Sequence, residues 1–341
     1  MKIRIVIPVM LLLLAVIVVI ATALGSVPVP FMQTVRIILK NWGIGTDGSF
    51  SGGQESIIYF VRFPRVIVAM LVGAALSTSG AVMQGMFRNP MADPGIIGVS
   101  SGAGLGAVIA IVFGLSARNM FMLPLFASTG SIAAAFLIFL LSRKGGRVQS
   151  LTLILAGIAV STLLGAITNI FLTMAYDYQV REFMFWVLGD LYNRQWEHAG
   201  LIFIPVIVCI LILFTFSRDL NILMLGEEEA QSVGLNPSRT RIILLFLVCV
   251  TTASAVCVSG IIGFVGLIVP HILRLIAGPD HRILLPASAI GGAVFLVSCD
   301  LVSRLLIMPG EIRVGIITSL LGAPYFLYLL HKNRREGGVF Q

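Results

Sequence analysis

The sequence predicts an all-α, polytopic membrane protein with about ten transmembrane helices, and three observations carry that prediction. Of 341 residues, 58% are hydrophobic and 11% charged, whereas soluble domains carry about 25% charged residues. The apolar residues fall in repeated stretches of about 20, the length that crosses a bilayer core as a helix. Between these runs the basic residues sit in short clusters, where they set membrane orientation. They do not form the single patch that nucleic acid requires, despite a formal net charge of +8. One transmembrane domain over residues 1–341 is the expected organisation.

Taken in order, the candidate spans lie near 5–24, 62–86, 95–114, 120–141, 150–174, 199–217, 241–259, 261–277, 283–306 and 313–331. At the first, Lys2, Arg4, the run Ile5–Ile20 and Ala21-Thr22-Ala23 resemble a secretory signal with a small-residue cleavage site. The run continues to Leu24, however, longer than the roughly 7–15-residue core of a signal, which favours a retained span. The eighth run is short and interrupted by Pro270. Ten spans place both termini on one side. The positive-inside rule puts that side in the cytoplasm, with fourteen of the 23 Lys and Arg inside. The nine outside are Arg36, Lys40, Arg62, Arg65, Arg118, Arg181, Arg194, Arg304 and Arg313. That surplus needs its own explanation.

Small residues recur every four positions on three of the runs: Gly98, Gly102, Gly106, Ala110 and Gly114; Gly73, Ser77, Ala81 and Gly85; Gly157, Ser161 and Gly165. Such ladders let helix backbones approach closely in lipid. Residues 102–107 also match G-x-G-x-x-A, but no strand precedes them and no βαβ unit surrounds them, so a dinucleotide loop is excluded. A Gly-rich apolar stretch, a Pro break and then charge recur at 263–282. This suggests a weak two-half repeat, spans two to five against seven to ten, as in many transporter folds.

Catalytic chemistry is absent from the pattern. There is no G-x-x-x-x-G-K-[ST], no metal-ligand cluster and no Ser-His-Asp or paired-carboxylate arrangement. His198, His271, His281 and His331 are scattered, three of them near helix ends, and read as polar boundary residues. Cys209, Cys249, Cys257 and Cys299 lie in apolar runs without C-x-x-C spacing and read as small core residues.

Two polar features remain. Residues 217–241 form a long connection with Glu227, Glu228 and Glu229 early, where a helix dipole favours anions, and Gly234 placed as a helix C-cap. The segment reads either as a solvated loop or as a short helix under the membrane that serves as a docking surface. On the other side, Arg62 and Arg65 lie three apart at the start of the second span, with Pro64 suited to a first helical turn. Cations there oppose the macrodipole, which a visiting anionic partner would explain; snorkelling to headgroups is by itself the commoner explanation. Arg304 follows Asp300 by four residues, which an intrahelical pair explains; an outward-facing Arg304 is the alternative.

Four stretches in this order, "SGAVMQGMFRNPMADPGIIGVSSGAGLG", "GEEEAQSVGL", "GFVGLIVPHILRLIAGPDHRILLP" and "GEIRVGIITSLLGAPYFLYLL", resemble the permease subunits of type II ABC importers for iron chelates (siderophores), haem and cobalamin. The resemblance covers about residues 55–331. It implies a ten-span permease in the inner membrane of a bacterial or archaeal cell. Two copies would line a central path, with two cytoplasmic ATP-binding subunits below and an extracytoplasmic substrate-binding protein above. It implies no cofactor in this chain, ATP and Mg being bound by the partner ATPase. Arg62, Arg65 and Arg304 match the positions that dock the binding protein. Gly226, Glu227, Glu228, Glu229, Ala230 and Gly234 match the helix that couples to the ATPase. Asn89, Met91, Ser150 and Leu151 match the cytoplasmic gate. Arg313 departs from the family pattern, standing where many relatives have proline. The implied activity is ATP-driven import by alternating access of an iron(III)-siderophore-type chelate, with haem or cobalamin as the alternative cargo. An ion-coupled secondary transporter would carry ionisable residues deep in its spans, where only Asp300 comes near. An intramembrane enzyme would need a catalytic cluster that the sequence lacks.

Overall fold

The structure, a computed structural model, describes residues 2–44, 50–144, 147–148 and 150–335. Its regular structure is helical apart from one antiparallel pair of two-residue strands, β1 (Arg143–Lys144) and β2 (Arg147–Val148).

Helix α1 (Lys2–Ala23) is a run of aliphatic side chains. The amphipathic α2 (Phe31–Asn41) buries Thr34, Ile37 and Ile38 and leaves Phe31 and Met32 exposed. The second span begins well before its apolar run. Ser51 and Gln54 cap α3 (Gly52–Ser56) reciprocally, and α3 continues through a π-helical turn, Ile57–Arg62, into α4 (Phe63–Phe87). Pro64 therefore does not open the helix. It lacks an N–H and crowds the preceding turn, and the widened π turn accommodates both defects. Arg62 and Arg65 accordingly sit inside a continuous helix, not at a free N-terminus, and the macrodipole objection to them falls away.

A 3₁₀ turn, Pro94–Ile97, leads to α5 (Val99–Val112), followed by α6 (Leu115–Arg118) and α7 (Met122–Ser142). Next come α8 (Ser150–Thr173), α9 (Asp177–Val187) and α10 (Trp196–Thr215). Two short helices, α11 (Ser217–Leu223) and α12 (Glu227–Ser232), precede α13 (Pro237–Ser259), α14 (Val265–Ala277), α15 (His281–Leu305) and α16 (Val314–Arg335). Seven of these helical stretches are long and apolar enough to cross a membrane, while α5, α14 and the Val314–Leu329 part of α16 are shorter. Together they account for the ten apolar runs.

Helix α4 is central: 83% of its most apolar window is inside the molecule, against 22% for α8. It packs along α15 through facing glycines. A Cβ on Gly73 would lie 2.2 Å from the Gly292 carbonyl oxygen, and one on Gly292 2.1 Å from that of Gly73. Gly102 and Gly130 do the same between α5 and α7, each 2.2 Å from the other's oxygen. These are backbone-on-backbone contacts of the kind lipid-embedded helices use. The ladder on α8 behaves differently, because the space beside Gly165 is open. Periodicity reports a face, not whether another helix occupies it.

Helices α5 and α14 are short because both begin inside the bundle. The first turn of α14 meets α4 at Gly80, where a Cβ would stand 1.9 Å from the Gly266 carbonyl oxygen. That contact is roughly 10 Å from the inner end of α4 at 1.5 Å per residue. Non-helical backbone at such depth is tolerated where protein encloses it. The segments 88–98 and 260–264 run there, next to α4 and α13.

Candidate functional site

At the end of the bundle expected to face outward, the structure brings Arg62, Arg65 and Arg304 together and turns all three inward. Arg62 is 6% exposed and donates to Ala23 O at 2.7 Å and Val27 O at 2.6 Å. Arg304, also 6% exposed, donates to Ala21 O at 2.9 Å and pairs with Asp300 at 3.1 Å. These carbonyls include the orphan acceptors at the C-terminus of α1, where cations also suit the helix dipole. Gly25 makes room, since a Cβ there would lie 2.6 Å from the Arg62 guanidinium. Arg65 is bound to Asp300 at 2.8 Å and to Glu311 at 2.7 Å. Arg313 pairs with Asp190 and lies over the ring of Phe185 at 4.6 Å. The expected i,i+4 pair of Asp300 and Arg304 is present; its extension to Arg65 and α1 was beyond reach of local spacing.

At the opposite end, α4 closes with Arg88 at φ +50°. Asn89 is exposed and its Oδ1 accepts from Met91 N at 2.8 Å, fixing the turn that holds both proposed gate residues on α4's exit. Asp93 accepts from Gly95 N at 2.7 Å and starts the 3₁₀ turn. Ser150 and Leu151 open α8, with side chains that lie outside the described residues.

The segment 217–241 contains two helices, not a bare loop. In α11, Leu220 and Leu223 are buried; in α12, Ala230 is fully buried while Glu227, Glu228 and Glu229 are exposed. Gly226 takes φ +142° and Gly234 φ +83°. Gly234 N donates to Gln231 O at 3.0 Å and Leu235 N to Ala230 O at 3.0 Å, the paired bonds of a Schellman C-cap. Glu227 pairs with Arg241, which ties α12 to α13. Leu225 and Val233 remain 68% and 65% exposed, flanking the acidic turn.

Sequence reasoning missed a polar network that links this segment to the core. Asn221 in α11 donates to Asp280 at 2.7 Å and accepts from the His281 backbone N at 2.9 Å, while His281 Nδ1 lies 2.8 Å from the same Asn221 oxygen. Asp280 caps α15, and the Arg282 N–H, then the Asn221 side chain, hold its carboxyl below the ordinary value. Deeper, Gln84 Nε2 donates to Gly266 O at 3.1 Å and accepts from Arg274 at 2.9 Å through Oε1. A glutamine inside an apolar run was the available signal.

Among the described residues no group of three or more His, Cys, Asp or Glu can hold a metal ion. An apolar groove of about 630 Å³ runs between the end of α9, the 260–264 segment and α16, lined by residues including Leu188, Ile261, Gly315 and Leu320.

A family model described as the FecCD transport family matches residues 12–332. The cobalamin import system permease BtuC of Halobacterium salinarum is 46% identical, over 81% of this chain and 73% of its own. The hemin transport system permease HmuU of Yersinia pestis is 44% identical, over 81% of this chain and 83% of its own. A solved structure described as an inward-facing metal-chelate type ABC transporter superposes with TM-score 0.84 at 33% identity, covering 96% of this chain and 98% of that one.

Proposed function

The chain belongs to the FecCD transport family and is a multi-pass membrane permease of the ABC importer type, and from that premise we propose that it imports an iron(III)-siderophore-type chelate. The observation that supports an anionic chelate is charge at the outer end. Five arginines gather there (Arg62, Arg65, Arg194, Arg304 and Arg313) against four carboxylates, Glu182, Asp190, Asp300 and Glu311. The names of BtuC and HmuU favour a second reading, in which the cargo is cobalamin or haem.

The remaining roles follow from this reading. ATP and Mg belong to a separate cytoplasmic ATPase, which meets the surface of Gly226, Glu227, Glu228, Glu229, Ala230 and Gly234, with Leu225 and Val233 as its apolar anchors. Its closure is passed through Asn221 to the head of α15. Asn89, Met91, Ser150 and Leu151 form the inner gate. A second copy covers the groove beside α16, and both termini are cytoplasmic. Arg62, Arg65 and Arg304 frame the docking site of an extracytoplasmic binding protein by fixing the outer ends of α1, α4 and α15. A docking carboxylate would gain Arg65 only by competing with Asp300 and Glu311.

Uptake assays with ferric siderophore, haem and cobalamin offered separately at nanomolar levels test the cargo. Loss of ferric siderophore uptake alone on deleting the gene is expected. Loss of only haem or only cobalamin uptake selects the second reading. Uptake that persists after ATP depletion overturns the importer mechanism.

A further inference from the structure

The outer end holds a cavity that the importer reading leaves unused. It lies between the α6–α7 connection, α9 and the segment leading into α10. Its volume is about 480 Å³, and its lining includes Ser116, Glu182, Trp186, Asp190, Arg194 and Gln195. Small-molecule sites have this size.

Arg194 differs from the other four arginines of this region. Arg62 and Arg304 are taken by carbonyls, Arg65 by two carboxylates and Arg313 by Asp190. Arg194 makes no hydrogen bond or ion pair among the described residues, and its Nε is enclosed without an acceptor. Asp190 is near enough to act on it electrostatically but is held by Arg313. Burial, the largest influence, lowers the pKa of Arg194, and Asp190 only partly opposes this. The indole Nε1 of Trp186, on the same lining, is likewise buried and without a partner. Glu182 stands on the lining too, exposed and with no partner among the described residues.

A half-buried guanidinium whose enclosed Nε has no acceptor is disfavoured, and an indole N–H can only donate. Both groups call for an acceptor that is charged and planar. The guanidinium fork matches a carboxylate in two parallel bonds. We propose that this cavity is a recognition site for a carboxylate-bearing small molecule, held by Arg194 with Trp186 as a second donor. The proposal rests on the importer reading only for its consequence: an anionic chelate at the outer mouth would have this site available to it.

The test is calorimetric titration of citrate into the full-length protein in phosphatidylcholine nanodiscs, at pH 7 and constant ionic strength, with chloride as control. Saturable citrate binding is expected in the wild type. Arg194→Gln weakens it at least about tenfold, the scale of a lost charge-assisted fork. Trp186→Phe, which removes one N–H and keeps the ring, weakens it several-fold and serves if Arg194→Gln fails to fold. Glu182→Gln leaves binding unchanged or tighter, because a competing anion is gone. Absence of wild-type binding overturns the proposal, as does unchanged affinity in Arg194→Gln or Trp186→Phe. Loss of binding in Glu182→Gln also overturns it, since the ligand would then be held through the Glu182 carboxylate and not by an anion-accepting guanidinium. None of these results bears on ATP-dependent uptake in cells, which tests the importer reading by itself.

Discussion

Asp300 is shared by two guanidiniums, those of Arg65 and Arg304, in a setting where it has no exposed surface. Removing one member of a buried ion cluster typically costs about 3–5 kcal/mol, because the remaining charges stay buried and unpaired. Asp300→Ala should therefore lower the unfolding temperature of the detergent-solubilised protein more than Glu311→Ala, whose carboxylate is partly exposed. Equal shifts would argue that solvent reaches both sites alike. Asp280 makes a weaker, pH-dependent contribution. Its carboxyl is held below the ordinary value by the Arg282 N–H and then Asn221. The stabilisation is thus complete above about pH 4, the ordinary Asp value, and is lost as pH falls through the lower folded value. Asp280→Ala removes the cap of α15, a change worth about 0.5–2 kcal/mol, and frees Asn221. Faster amide exchange in 217–223 at pH 7 is the expected result; wild-type exchange in that segment, corrected for intrinsic rate, should not vary between pH 5 and 8. Of these residues, the Asp300–Arg304 pair was legible because it is local. Arg65, 235 positions away from Asp300, was not, and its inward turn could not be read from the apolar run, because the helix begins at Gly52, well upstream of Arg62.

Helix–helix contact is where glycine matters most here. Gly102 in α5 faces Gly130 in α7 with no room for a side chain, whereas Gly104, two residues on, has open space. Gly102→Leu should destabilise by more than the roughly 1–3 kcal/mol of ordinary overpacking, because backbone and not a movable side chain stands in the way. Gly104→Ala should be neutral or stabilise by about 0.5–1 kcal/mol through helix propensity. Thermal unfolding in detergent separates the two outcomes, and a similar loss at both positions would contradict the packing scheme. On α12, Glu228→Lys reverses an exposed charge and leaves the Schellman cap intact. Loss of ATPase co-purification with unchanged permease stability is expected; retention of the complex would remove Glu228 from the coupling surface. The ten apolar runs were legible because lipid exposure selects length and hydropathy together. The amphipathic α2 and α9 escaped, being too short and too polar to register as spans. The depth at which α5 and α14 begin escaped as well, since it depends on Gly80 and Gly266 meeting across the bundle.

At the scale of the whole molecule, ion pairs and side-chain amide bonds between distant elements fall in two layers, and the helices between them meet by close backbone contact. The inner layer joins α4, α11, α14 and α15 through Gln84, Arg274, Asn221 and His281. The outer layer joins α1, α4, α15 and the chain before α16 through its arginines. The general architecture was legible in composition alone. Which side chains close each layer was not, because their partners come from opposite ends of the chain.

The capping of α1 also bears on biogenesis. This helix leaves the ribosome before the residues that cap it, with the carbonyls at its far end unanswered. The donor to Ala23 follows 39 residues later, and the donor to Ala21 only after 283. Until α15 is in the bilayer, Arg62 answers these carbonyls without Arg304. A helix inserted ahead of its partners thus gains its last cap only with α15, and a chain interrupted before Arg304 leaves it less firmly moored.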